Sequence, residues 1–178
     1  MASNFDFLQS EFPALADFGA FAEKYCYSDS NSCLMKLGMI GETIVNLIFT
    51  YDRIALPYDN TAVSRIATLQ QEGLLDQDLC DILHALRKVR NKAVHENYTS
   101  VSEGKTLLQM AYSLCEWFMQ TYGDWNYQHK DYVIPSEHEE IIPVNKEEEE
   151  KKEIVLVAAA EQVAASSEAI DLQKRKQQ

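Results

Sequence analysis

From the N-terminus to Gly123, apolar residues recur at three- and four-residue steps, a spacing that restricts the chain to helices. The clearest run is Leu34, Leu37, Ile40, Ile44, Leu47, Ile48 and Tyr51. A helix gathers these side chains into one stripe, whereas a strand would scatter them over both faces. The run predicts a long helix from about Ser32 to Ala55, ended by Pro57. Gly38 and Gly41 fall inside it. Each costs roughly 1 kcal/mol against alanine in a helix interior. Their presence predicts compensation, a close crossing by another helix.

Four further segments carry the same period. Residues 4–27 read as helix with a break near Pro13, after which Leu15, Phe18, Ala22 and Tyr25 form a stripe. The polar turn Ser28-Asp29-Ser30-Asn31-Ser32 offers N-caps for the long helix. Asn60 or Thr61 caps a short third helix with Val63, Ile66 and Leu69 facing inward, and Gly73 stops it. Asp76 caps a fourth, carrying Leu79, Ile82, Leu83, Leu86, Val89, Ala93 and Val94. A fifth begins near Ser102 and carries Leu107, Leu108, Ala111, Leu114, Cys115 and Phe118 before Gly123. Tyr127 to Ile134 is the one stretch that reads as extended. The fold class is therefore all-α, a compact bundle of four to five helices over residues 1–134. Residues 135–153 form an acidic linker with the run Glu147-Glu148-Glu149-Glu150. Residues 154–178 form an alanine-rich connector helix, in which Leu156, Ala160, Val163, Ser167 and Ile170 make a weak heptad seam.

With 46% hydrophobic residues, the chain can build a core. Its net charge of −12 excludes a general nucleic-acid binder. Yet residues 1–134 hold 10 Lys and Arg, and four of them (Arg87, Lys88, Arg90 and Lys92) fall within six positions. That cluster suits one phosphate chain at a defined place, or equally a solvated helix face near a negative helix end. Cys26, Cys33, Cys80 and Cys115 form no CxxC pair and have no histidine at zinc-ligand spacing. They read as reduced thiols of a cytoplasmic protein, with no metal and no cofactor. No continuous apolar run is long enough to predict a membrane span.

The fourth helix holds the chemistry. On an ideal helix with Leu79 at the origin, the apolar stripe runs from about −80° at Val89 to about +60° at Val94. Arg90 falls near +20°, inside the stripe, while Arg87, Asn91 and His95 step along one flank at about +80°, +120° and +160°. A charge inside an apolar stripe demands a buried carboxylate, a side chain reaching out to the surface, or a cleft or subunit interface at that turn. Arginine, an amide and a histidine suit a phosphodiester: the guanidinium neutralises phosphate and the imidazole moves a proton near neutral pH. The plainer alternative is a salt bridge and a helix-end histidine. His84, His129 and His138 show no partner pattern.

Arg90-Asn91-Lys92-Ala93-Val94-His95 fits the R-N-x-x-x-H form that marks the HEPN superfamily of helical domains. Asn4-Phe5-Asp6-Phe7-Leu8, Ala22-Glu23, the Lys36-Leu37-Gly38 to Glu42 stretch, Arg65-Ile66 with Leu69, and Gly73-Leu74-Leu75 resemble the HEPN-like domain at the N-terminus of many type I restriction enzyme R (motor) subunits. The resemblance covers about residues 4–122, and Ala164 to Lys176 is similar to the helix preceding the nuclease domain in such subunits. In those subunits the position of Arg90 is often glycine, so the arginine here is a departure that keeps the set used by HEPN ribonucleases. The resemblance implies a homodimer with a shared cleft and a metal-independent cleavage leaving a 2′,3′-cyclic phosphate. Arg90 would stabilise the scissile phosphate, Asn91 would orient, and His95 would act as acid or base. Arg87, Lys88 and Lys92 would bind the RNA or DNA.

Three readings stand: a dimerisation or docking module of a restriction complex, a metal-independent endoribonuclease, and a module feeding nucleic acid to a partner enzyme. The implied partners are restriction-complex subunits or a downstream nuclease and helicase region. No Walker A loop, helicase motif or DNA nuclease motif occurs in these residues, so no ATPase is expected here.

Overall fold

The structure is a computed structural model and describes residues 3–137. After a short 3₁₀ turn at Asn4–Leu8 come five α-helices: α1 Pro13–Tyr25, α2 Ser30–Tyr51, α3 Ala62–Gln71, α4 Gln77–Glu96 and α5 Val101–Tyr122. There is no strand among the described residues. Pro13 opens α1 as its fixed φ suggests, so residues 4–27 are a turn and a helix rather than one broken helix. Asp29, Thr61, Asp76 and Ser100 each accept a backbone N–H with the side chain at the start of α2, α3, α4 and α5.

Helix α2 is the axle of the bundle, packing most extensively against α4 and α1 and also touching α5 and α3. Its residues Leu34, Leu37, Ile40, Ile44 and Ile48 are fully buried. They meet Phe5, Phe18, Leu86 and Phe118 in one continuous core. Ser30–Tyr51 is long and apolar enough to cross a membrane, but most of it is buried inside the fold. Packing against neighbouring helices accounts for its apolar character.

Tyr51, the last residue of the α2 run, is 49% exposed, and two inward assignments in α3 and α4 fail. Val63 is 47% exposed and Val94 is 51% exposed. Both lie at the margin of their stripes, where the helix has turned away from the core. Beyond α5, residues 124–137 have no regular structure but are tied down by side chains. Asn4 exchanges hydrogen bonds with the backbone of Val133 (2.8 and 2.9 Å), Tyr112 donates to the Lys130 carbonyl (2.9 Å), and Tyr27 donates to the Pro135 carbonyl (2.8 Å). The strap therefore closes over the N-terminal turn and α5. Most of the acidic linker and the whole connector helix lie outside the described residues.

Candidate functional site

The site is built on the crossing of α2 and α4. Gly38 makes it possible: a Cβ there would lie 2.3 Å from Cβ, 2.5 Å from Cδ and 2.7 Å from Cγ of Arg90. The arginine stem lies directly across the bare glycine backbone. Gly41, one turn on, faces Leu83 and Leu86 at ordinary contact distance. The pair of glycines thus marks the close crossing that the sequence predicts.

Having crossed α2, the Arg90 guanidinium donates to Glu42 Oε1 at 2.5 Å. Glu42 sits one helical turn after Gly38 and is the sole carboxylate in α2. Of the three explanations for a charge in the apolar stripe, the first holds, with a partner that is only half-buried. The side chains are 33% and 41% exposed, so the pair contributes about 1 kcal/mol or less.

Asn91 and His95 do not join this pair. Both are exposed and make no polar contact among the described residues. His95 follows Arg90 by five positions, which is about 140° around the helix and ~7.5 Å along it. Within one chain the guanidinium and the imidazole therefore face different surroundings. Lys88 and Lys92 are also exposed, with the Lys92 ammonium 5.3 Å from the Tyr98 ring centre. The end of α4 is held by Asn97 in the left-handed conformation (φ 50°) and by Asn31 of α2. The Asn31 amide donates to the carbonyls of Ala93 and Tyr98, each at 2.9 Å. A fixed helix end thus presents two lysines, an asparagine and a histidine to solvent, with the half-exposed Val94 among them. His84, one turn before Lys88, has its pKa pushed below the ordinary value by burial and then by the charges of Arg87 and Lys88.

Arg87 turns toward α2 and α3. It lines a cleft of about 270 Å³ between α2, α3 and α4, together with Gly38, Gly41, Glu42, Asn46 and Arg65. Sequence reasoning missed Glu42 and Arg65 as site residues. A lone carboxylate one turn from an interior glycine was the available signal for Glu42.

A second polar cluster corrects the reading of His129 as partnerless. Its Nδ1 lies 2.8 Å from Glu116 Oε2. The same carboxylate, almost fully buried, accepts from the Tyr127 hydroxyl (3.1 Å) and the Lys130 amide (3.2 Å). This cluster clamps the strap to α5. Burial raises the pKa of Tyr127, and that of Tyr112 beside it. The four cysteines are free and buried, and among the described residues no group of His, Cys, Asp and Glu could hold a metal ion.

Comparison with known proteins adds a family. The profile of the domain of unknown function DUF4145 matches residues 21–154. The chain belongs to this family. It is also 22% identical over 151 residues to the Type I restriction enzyme EcoKI endonuclease subunit of Escherichia coli (strain K12). That match covers 82% of this chain and 13% of the relative, so the chain corresponds to a small part of the longer protein. No solved structure matches it.

Proposed function

We propose that this chain is a HEPN-like helical module of a type I restriction-like defence protein, acting in the cytoplasm in dimerisation or docking and in nucleic-acid handling. The observation that carries the reading is the similarity over 151 residues to a restriction endonuclease subunit. The exposed cationic end of α4 supplies the matching surface, because Lys88 and Lys92 point to solvent on an otherwise acidic chain. Partners would be a second copy, restriction-complex subunits or a linked nuclease and helicase region.

The second reading is a metal-independent endoribonuclease using Arg90, Asn91 and His95. It draws on Val94, a 51% exposed apolar side chain beside His95. A second copy seated on that face would bring its own imidazole toward this arginine. The test measures mass by light scattering and incubates the chain with labelled duplex DNA and single-stranded RNA in EDTA. The expected result is a dimer that binds nucleic acid and leaves it intact, with weaker binding by Lys88→Gln/Lys92→Gln. A monomer that binds neither overturns the first reading. RNA cleavage abolished by His95→Ala and by Arg90→Ala replaces it with the second.

A further inference from the structure

We propose that the cleft between α2, α3 and α4 binds a phosphate group, held by Arg65 and Arg87. Two arginines without carboxylate partners line this cleft. Arg65 is already aimed. Its Nε donates to Asn60 Oδ1 at 2.7 Å and its Nη1 donates to Asn46 Oδ1. Two neutral amides fix the guanidinium plane without cancelling its charge. Three of its five N–H donors remain unspent.

Arg87 is stranger. Its Nε is shut off from solvent and has no hydrogen-bond acceptor. The guanidinium makes no ion pair or hydrogen bond among the described residues. A buried donor left unpaired is costly, and an oxyanion entering the cleft gives that guanidinium an acceptor to turn toward. Glu42, the one acid in the cleft lining, is engaged by Arg90. With that pair counted as neutral, the cleft lining carries two positive charges in a chain of net charge −12.

Chemistry selects the ligand. Two guanidinium forks match a tetrahedral dianion with three free oxygens, while a single carboxylate would leave one charge uncompensated. At about 270 Å³ the cleft holds a phosphate with a small group attached and is below the usual range for larger ligands. The inference is independent of the restriction reading, because neither Lys88 nor Lys92 lines the cleft. Nucleic-acid binding at those lysines and phosphate binding here can fail separately.

The test is titration calorimetry of the full chain with inorganic phosphate, 5′-AMP, adenosine and acetate. Phosphate and 5′-AMP bind, and adenosine and acetate do not. Equal affinity for the first two identifies a bare oxyanion site, and tighter 5′-AMP identifies a nucleotide end. Arg87→Gln and Arg65→Gln each weaken binding about tenfold or more, the loss expected for a charge-assisted hydrogen bond. Arg87→Lys is intermediate because the charge stays and the fork is lost. Lys88→Gln, the same charge change on the solvent face, leaves affinity unchanged. Circular dichroism confirms that Arg87→Gln stays folded, since Arg87 holds no partner. The proposal is overturned by absence of binding up to about 10 mM phosphate. It is equally overturned by acetate or adenosine binding as well as phosphate, or by Arg87→Gln and Lys88→Gln behaving alike.

Discussion

Replacing Gly38 by alanine tests the helix crossing that positions Arg90. The new Cβ would stand 2.3 Å from Arg90 Cβ, where carbon atoms at rest sit about 3.5–4.0 Å apart. The shortfall exceeds about 1 Å, and because the nearest atom is a Cβ, rotation of the side chain cannot relieve it. Either α2 and α4 separate, loosening the most extensive helix pair in the bundle, or the backbone of α4 tilts and the Glu42 pair opens. Overpacking of this kind costs about 1–3 kcal/mol, and the better helix propensity of alanine returns roughly 1 kcal/mol. An overlap this deep, against a Cβ that cannot swing away, belongs at the top of that range, so the expected net loss is about 2 kcal/mol, or ~4–8 °C in Tm for a domain of this size. Gly41→Ala is the internal control: its Cβ would meet Leu86 and Leu83 at 3.4–3.5 Å, so the propensity gain dominates and stability rises by up to ~1 kcal/mol. Urea unfolding followed by far-UV circular dichroism reads both. If Gly38→Ala is as stable as wild type, or the two variants shift alike, the close crossing at Arg90 is wrong.

Three further outcomes follow from the same geometry. Asn31→Ala removes both hydrogen bonds to the end of α4 and should cost about 1–2 kcal/mol, with faster amide exchange at residues 95–98. Burial holds the Glu23 carboxyl above its ordinary value of 4.5, against the hydrogen bonds from Ser3 and Asn4. A carboxyl raised in the folded state favours the protonated form, so its contribution is full below the unfolded pKa and fades as pH rises through the folded one. Unfolding free energy should therefore fall as pH climbs from about 4.5, and Glu23→Gln should flatten that part of the profile. Glu116→Ala strips the acceptor from Tyr127, His129 and the Lys130 amide. Trypsin should then cut faster after Lys130, with the helical signal retained.

The helices were readable because each needs only a local pattern. Thr61 and Asp76 act as caps where the sequence placed them, and interior glycines at 38 and 41 announced a crossing. The position of Arg90 inside an apolar stripe was readable too. Its partner was not, since Glu42 lies 48 positions away and meets it only through the register of two packed helices. The pairing of Glu116 with His129 was hidden for the same reason: an irregular strap has no period from which contact can be inferred. Val94 shows the limit of the wheel, which assigns a direction without saying where the neighbouring helix ends. Asn91 and His95 were readable as chemistry, but the fold shows each facing solvent apart from the arginine.

The most direct measurement is the salt dependence of nucleic-acid affinity at the exposed end of α4. Two exposed cations there, Lys88 and Lys92, predict a slope of log affinity against log salt of about −1.4 for a single strand and about −1.8 for a duplex. Lys88→Gln should make that slope shallower by about one. A flat dependence, or a slope that Lys88→Gln leaves unchanged, would contradict the assignment of this face to nucleic acid.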